Sequence, residues 1–228
     1  FDGFQYINTT IAKDHPDYQF KYVQMYSGSN LRSSSDNGCR TGYYCQKLVP
    51  HQANKYDGMY NWGGALQCDL PYMRLADIYL MYAEAGAAAQ GATYKSSKCN
   101  LTAEDAINVL RDRVEAGHVA AKFAADQHKF MDEVRRERAV ELAFEGFRWN
   151  DLQRWLLLTE YPYNIKTSQE FKRVGDYDFT KNDPRDAEVT GWSEKTIVTR
   201  DFTEKHYLLP LKEDDVYLYP EFGQNPGW

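Results

Sequence analysis

The segment EVRRERAVELAFEGFRWNDLQRW, residues 133–155, decides the fold because it joins a regular charge pattern to an apolar helical face. Glu133, Glu137, Glu141 and Glu145 recur at intervals of four, so a helix would carry all four carboxylates on one stripe. Arginines stand within reach of nearly every acid. The pairs that spacings of three or four allow are Asp132 with Arg135 or Arg136, Arg138 with Glu141, Glu145 with Arg148, Arg148 with Asp151, and Asp151 with Arg154.

Two interpretations of this charged segment compete. As chemistry, a di-iron bundle would need Glu-x-x-His on two helices, but the one match, Glu115 to His118, is interrupted by Gly117. A glycosidase pair of carboxylates can come from anywhere in a chain, so a polysaccharide-degrading enzyme remains the alternative. As structure, charges beside an apolar face must be paired, because an unpartnered buried charge costs ~3–5 kcal/mol. We therefore predict a partly buried, non-catalytic ion-pair network, formed by Arg138, Glu141, Glu145, Arg148 and Asp151.

Three helical stretches are predicted from apolar spacing and capping residues. The first has Asp69 as N-cap and Pro71 in its first turn, and it ends near Gly91. Small residues from Ala83 to Ala89 would let another helix approach it closely. The second starts at a capping box of Thr102 and Asp105 and ends at Gly117. The third starts near Gln127, breaks at Gly146 and continues to Leu158; its predicted apolar face consists of Phe130, Val134, Val140, Phe144 and Phe147.

The remainder of the chain is predicted to be rich in loops. Residues 1–68 form an aromatic loop-rich segment, residues 69–158 a helical core, and residues 159–228 loops and a C-terminal tail. Within the last region TIVTR, residues 196–200, is a candidate short strand. The first two helices have the spacing of a tetratricopeptide-type pair. The predicted fold class is therefore mostly α, with such helix pairs, a loop-rich remainder and few short strands.

Composition excludes some classes of function. The 228 residues carry a formal net charge of −6 with dispersed basic residues, which excludes the concentrated basic surface that nucleic acid requires. The opening FDGFQYINTT has no signal-peptide pattern, so we expect Phe1 to lie inside a longer or processed chain.

Cys39 and Cys45 bracket a short loop and could form a disulfide or remain free thiols. Asp214 and Asp215 are weighed as calcium ligands, but a solvated acidic turn is preferred, and we expect neither metal nor cofactor.

Four segments in a fixed order resemble the C-terminal half of the SusD/RagB family of nutrient-binding proteins. They are RLADIYLMYAEA (74–85), NVLRDRVEAGH (108–118), the charged segment 133–155 and YLLPLKEDDVYLYPEFGQNPGW (207–228). The combination of ERAVELAFEGFRWNDLQRW with the closing QNPGW is specific. The resemblance extends from about Tyr43 to Trp228.

This resemblance implies a SusD-like fold and a role in nutrient capture without enzymatic activity. It implies a lipoprotein of Bacteroidota on the extracellular face of the outer membrane, anchored through an N-terminal part that is missing here. The implied partners are a SusC-like TonB-dependent barrel, on which the protein sits as a lid, and an oligosaccharide or peptide ligand. The charged segment then marks the fold and not the ligand site.

Ligand candidates lie in two aromatic loops, because sugars stack on flat aromatic rings that also offer polar groups. The loop NKYDGMYNWGG, residues 54–64, contributes Trp62, Tyr60, Tyr56 and Asn61. The loop TGYYCQK, residues 41–47, contributes Tyr43 and Tyr44. The competing interpretation is that these aromatic residues pack over the helices as core.

Overall fold

A computed structural model describes residues 25–29, 32, 39–43, 45, 47, 71–178, 181–182, 186–219, 221 and 223–228. Helices dominate the described residues, alongside a two-stranded sheet. The elements are α1 (Leu75–Ala89), α2 (Ala103–Asp112), α3 (Ala121–Ala124), α4 (Gln127–Glu141), α5 (Phe147–Arg154), β1 (Ile165–Arg173), β2 (Val189–Thr199), a 3-10 turn (Glu204–Tyr207) and α6 (Glu213–Leu218). Asp69–Trp155 forms one compact unit that contains α1 to α5, and the sheet and α6 belong to a second.

The core of the helical unit forms where α1 packs against α2 and α4. Small residues on α1 permit this close packing: Ala83 and Ala87 are fully buried. A Cβ at Gly86 would lie 2.8 Å from the Cβ of Ala103 and 2.8 Å from the Tyr94 ring. Larger side chains from the other two helices fill the centre, with Ile107 of α2 and Phe130 and Val134 of α4 fully buried. The prediction that small residues allow a close helix approach is confirmed.

The start of α1 differs from the prediction. Asp69 lies outside the described residues, and Pro71 precedes the helix without forming its first turn. The helix begins at Leu75, after Arg74 in an extended conformation. Arg74 cannot cap α1 through its side chain, because a guanidinium only donates hydrogen bonds. Its guanidinium instead binds carboxylates near the end of α4.

The start of α2 follows the local signal in the sequence. Thr102 Oγ1 accepts a hydrogen bond from the Asp105 backbone N–H at 3.1 Å, and Asp105 Oδ2 accepts one from the Thr102 N–H at 2.9 Å. This reciprocal capping box satisfies two helix-end donors and lowers the pKa of Asp105. The helix ends at Asp112, earlier than the predicted Gly117.

α4 begins at Gln127 as predicted, but its buried face is not the predicted one. Asp126 caps it by accepting a hydrogen bond from the Lys129 N–H at 2.8 Å. Val140 and Phe144 turn outward and are 61% and 72% exposed, whereas Phe147 is partly buried against the cluster that contains Leu80. The positions that do face the interior are Phe130, Glu133, Val134, Glu137 and Arg138. Their spacing is that of one helical face, and three of the five are charged.

A break separates α4 from α5, as predicted. α4 ends at Glu141, and α5 begins after Gly146, whose φ of +86° lies in the left-handed region that glycine adopts without strain. The break lets the chain change direction, so that Asp151 of α5 is buried while Arg148 on the same helix is exposed.

Within the region predicted as loops with one short strand, residues 165–173 and 189–199 form two paired strands. β1 and β2 pair antiparallel, with Ile165 opposite Thr199 and Arg173 opposite Val189, and the register shifts at two points. TIVTR covers only the end of β2. The other edge of β1 also makes backbone hydrogen bonds. Phe171 O accepts one from the Ser27 N–H at 2.8 Å, and the Gln169 N–H donates one to Thr41 O at 2.9 Å. Periodicity misses this ribbon because β2 is exposed along almost its whole length.

The closing QNPGW packs back on residues 205–211. Gln224 exchanges hydrogen bonds with the backbone of Leu211, at 2.7 and 3.0 Å, and Asn225 Nδ2 donates to Leu209 O at 2.6 Å. Trp228 Nε1 donates to Leu208 O at 2.8 Å, and its ring receives the Lys205 ammonium 4.2 Å from its centroid. These contacts fix the C-terminal tail against residues 205–211, so the role of QNPGW is structural.

We predict that Thr102→Ala lowers the free energy of unfolding by about 1 kcal/mol, because the α2 capping box is lost. Urea denaturation followed by circular dichroism measures the change. Thr102→Ser keeps the hydroxyl and should remain close to wild type. An unchanged Thr102→Ala protein would show that the capping box contributes nothing.

Candidate functional site

Five of the six aromatic-loop candidates lie outside the described residues: Trp62, Tyr60, Tyr56, Asn61 and Tyr44. Tyr43 is described, and its residue surface is 67% exposed. Its carbonyl oxygen accepts hydrogen bonds from Cys39 Sγ at 2.7 Å and Thr41 Oγ1 at 3.3 Å. The ligand role of all six stays a prediction.

Cys39 and Cys45 are free thiols, so the disulfide that their spacing allowed does not form in this structure. The Sγ atom of each cysteine interacts with a nearby backbone carbonyl, Cys39 with Tyr43 and Cys45 with Lys47. Burial opposes ionisation of the Cys39 thiol, but hydrogen bonds from Thr41, Gly42 and Tyr43 prevail and lower its pKa.

The most extensive polar arrangement in the helical unit is centred on Arg138 of α4. Its side chain is only 4% exposed, and it lies between Asp77 of α1 and Asp151 of α5, which are equally buried. Arg138 Nη1 donates to Asp77 Oδ1 at 2.9 Å, and Nε and Nη2 donate to the two Asp151 oxygens at 3.0 and 3.1 Å. The planar guanidinium thus connects three helices with fixed geometry. We call this set the Arg138 network.

Arg154 and Glu84 extend the Arg138 network towards solvent. Arg154 donates to Asp151 Oδ1 at 2.8 Å and binds both oxygens of Glu84, with Nη2 to Oε2 at 2.6 Å. Trp155 Nε1 donates to Glu84 Oε1 at 2.8 Å. Burial alone would raise the pKa of Glu84, but the hydrogen bonds from Arg154 and Trp155 lower it overall. The Glu84 hydrogen bond also raises the pKa of Arg154.

A second buried cluster joins α2 to α4. Arg111 Nη2 donates to Glu133 Oε1 at 2.5 Å and to Glu137 Oε2 at 2.8 Å, and all three side chains are largely buried. Arg136 reaches Glu133 from its exposed side, with Nε to Oε2 at 2.9 Å. The hydrogen bond from Arg136, with that from Arg111, outweighs burial and lowers the pKa of Glu133 to about 2.

The last two glutamates of the stripe bind Arg74. Its Nη1 donates to Glu141 Oε1 at 2.8 Å, and its Nε and Nη2 donate to the two Glu145 oxygens at 2.7 Å each. Arg74 Nη2 also donates to the Glu141 carbonyl at 2.7 Å, at the end of α4. Arg113 of the α2 end binds Glu141 from the exposed side at 2.8 Å. Hydrogen bonding to Glu145, the largest influence, raises the pKa of Arg74.

Of the five residues predicted as a mutually bonded network, two are bonded to each other and two bind an arginine from outside the set. Arg138 and Asp151 are bonded to each other, and Arg154 joins Asp151 as its spacing suggested. Glu141 and Glu145, however, are bound by Arg74 from before α1. Arg148 is exposed on α5, and partial burial does not hold for it. Arg138 binds Asp77 and Asp151 and not the predicted local partner Glu141, because spacing along a helix does not specify which neighbour a long side chain binds.

The carboxylates of the stripe are all engaged in ion pairs. Every acid from Asp132 to Glu145 is bound to arginine; the acids are Asp132, Glu133, Glu137, Glu141 and Glu145. A general acid at neutral pH needs a raised pKa, whereas the one strong shift here, at Glu133, is downward. α4 therefore supplies no acid–base pair. No group of three or more potential metal-ligating side chains occurs among the residues that the structure describes.

The match to known proteins covers almost the whole chain. The model of the SusD family matches residues 2–228. The chain belongs to the SusD family. The search of curated proteins returned no match.

Two solved structures share the SusD-like fold of this chain. A SusD-like protein of Bacteroides fragilis, BF3747, superposes with a TM-score of 0.62 at 24% identity, over 91% of this chain and 34% of its own. A protein named BT4246 gives a TM-score of 0.50 at 24% identity, over 74% of this chain and 25% of its own. The chain thus spans about a third of the length of the B. fragilis protein. At this identity the likeness establishes the mostly helical fold.

The residues that local spacing missed in this SusD-family chain are the tertiary partners Arg74, Asp77, Glu84 and Arg111. A usable signal exists for two of them. Asp77 lies on the same helical face as Leu80, and Arg111 follows Ile107 by four residues, so each stands at an inward position of an apolar stripe. A charge at such a position predicts a buried partner elsewhere in the chain.

In the described residues of the chain, none of the helices has the length and apolar character needed to span a bilayer.

We predict that Arg138→Met lowers the free energy of unfolding by about 3–5 kcal/mol, because Asp77 and Asp151 stay buried without their cation. Chemical denaturation at neutral pH measures the loss. Arg113→Met makes the same substitution at a half-exposed ion pair and should cost at most about 1 kcal/mol. Equal effects of the two variants would contradict the central position of Arg138.

The lowered pKa of Glu133 predicts acid sensitivity. Its ordinary value is 4.5 and its folded value is about 2, so its ionised form stabilises the fold fully above about pH 4.5, and this stability is lost as the pH falls towards 2. Glu133→Gln should therefore show a shallower loss of unfolding free energy over that range than wild type. Urea denaturation at a series of pH values tests this. Asp132→Asn, at an exposed carboxylate, should keep the wild-type slope.

Proposed function

We propose that this SusD-family chain belongs to a cell-surface protein that captures a nutrient, a glycan or a peptide, without chemical conversion. The observation that carries the proposal is the family match over residues 2–228, together with the SusD-like fold. The protein would act as a lid that passes its ligand to a SusC-like TonB-dependent barrel. Its place would be the extracellular face of the outer membrane of a Bacteroidota cell, held by a lipid on a segment that precedes this chain.

The charge arrangement of the helical unit supports binding over catalysis. A polysaccharide-degrading enzyme requires a protonatable carboxylic acid beside a second carboxylate. The carboxylates of α4 are each occupied by an arginine, and Glu133 stays ionised far below neutral pH. These groups hold helices together. The helical unit thus suits a rigid scaffold.

The ligand is assigned to the aromatic loops, whose polar and planar side chains match a sugar surface. Trp62 with Tyr56, Tyr60 and Asn61, and Tyr43 with Tyr44, are the proposed contacts. A peptide ligand would use the same rings through its apolar side chains.

We expect the affinity-tagged protein, expressed in its native bacterium, to co-purify with a TonB-dependent barrel that mass spectrometry identifies. Calorimetry with oligosaccharides and peptides should show binding, and chromatography of the mixture should recover the ligand intact. Products that appear only with the purified protein would refute the proposal, as would the absence of a barrel. Trp62→Ala should weaken binding about tenfold, whereas Tyr72→Ala, at a residue 96% exposed, should not.

A further inference from the structure

The β1–β2 ribbon carries an exposed tryptophan, Trp192, which is distant in sequence from the two aromatic loops 41–47 and 54–64. Trp192 of β2 is 60% exposed, which is unusual for the largest apolar side chain. Its ring lies against Phe171 of β1, with centroids 4.5 Å apart and planes inclined by 30°. Phe171 thus backs the indole, and much of the indole surface remains open to solvent.

A bulge in the ribbon positions this pair. Glu170 lies opposite Ser193 and Lys172 opposite Thr190, so Gly191 and Trp192 together oppose Phe171. Gly191 has a φ of +68°, the left-handed conformation found at the first position of a glycine bulge. Such bulges re-aim a side chain and are typical of functional positions in sheets. The backbone of the bulge therefore positions the Trp192 side chain over Phe171.

Polar side chains continue the same face of the ribbon. Gln169 lies opposite Glu194, and Thr167 lies opposite Thr196. Because side chains alternate along a strand, Trp192, Glu194 and Thr196 share one face. The other face of β1 is already engaged, since Glu170 accepts hydrogen bonds from Ser27 and Arg32 at 2.6 Å each.

We propose that this face, the Trp192 platform of Trp192, Phe171, Gln169, Glu194 and Thr196, binds a neutral sugar residue of a glycan. The C–H face of the sugar would stack on the indole, while Gln169, Glu194 and Thr196 offer amide, carboxylate and hydroxyl groups to its hydroxyls. A neutral sugar is favoured because Glu194 repels an anionic one. An apolar protein partner would instead bury the carboxylate and amide without satisfying them. The inference rests on the proposed function and narrows its ligand to a glycan.

The test is a microarray of immobilised neutral oligosaccharides, including xylo-, manno-, gluco- and galacto-oligomers, probed with the full protein. Wild type should bind one or more of these glycans. Trp192→Ala should lower the affinity for that glycan about tenfold, and Trp192→Phe should have an intermediate affinity because a smaller ring remains. Circular dichroism and thermal unfolding verify that the variants fold. Tyr217→Ala removes an aromatic ring from α6 that is 85% exposed, more than Trp192, and should bind like wild type.

Each contrary result has a distinct meaning. Equal glycan binding by wild type and Trp192→Ala overturns the platform and leaves nutrient capture intact. Binding of a peptide library with no glycan, or loss of the co-purifying barrel in Trp192→Ala without loss of ligand, also overturns the platform in favour of protein contact. Wild type that binds neither glycan nor peptide overturns the proposed function itself.

Discussion

The helical unit depends on the burial of one guanidinium, that of Arg138, between two carboxylates. Removing a cation and two anions from water costs several kcal/mol per ion, and only well-aligned hydrogen bonds offset this. The Asp77 and Asp151 oxygens meet these conditions at 2.9 to 3.1 Å. A sliding of α1, α4 or α5 by one residue would leave a charge buried and unpaired. The network therefore selects one helix arrangement more than it adds stability.

The same constraint explains the composition of the surrounding core. On one stretch α1 presents alanines and Gly86 to its neighbours, around Ile107, Phe130 and Val134, while Leu80 of α1 is buried with Leu110 and Leu142 in a second cluster. The packing of α1 against α2 and α4 places the inward positions farther along α4 close enough for long side chains to bridge between helices. Arginine suits these positions, since its planar fork binds two acceptors at once and remains charged when buried. Packing and charge pairing thus follow from one helix spacing.

Local signals in the sequence were sufficient for some elements and not for others. The Thr102–Asp105 box, the start at Gln127 and the break at Gly146 depend on residues within one helical turn, and these predictions hold. The face of α4 beyond Val134 failed because charged residues replace apolar ones inside while Val140 lies outside. Arg74 contacts Glu141 across 67 residues, a pairing that no periodicity encodes. At the candidate site, Tyr43 alone can be compared with the structure, and the ribbon aromatics Phe171 and Trp192 were missed because polar, exposed strands carry no alternating pattern.

The charged residues of the helical unit are paired inside the fold, whereas the polar residues of the ribbon face solvent. We therefore assign the helical unit to the scaffold and the ribbon to recognition. On α4 each carboxylate is bound to arginine, so a change there must be matched by a change in a distant helix. On β2 the polar residues face solvent beside an aromatic ring, and a change there disturbs no buried charge. A substitution on the ribbon can therefore alter a surface contact without leaving a buried charge unpaired, whereas a substitution in the buried part of α4 cannot.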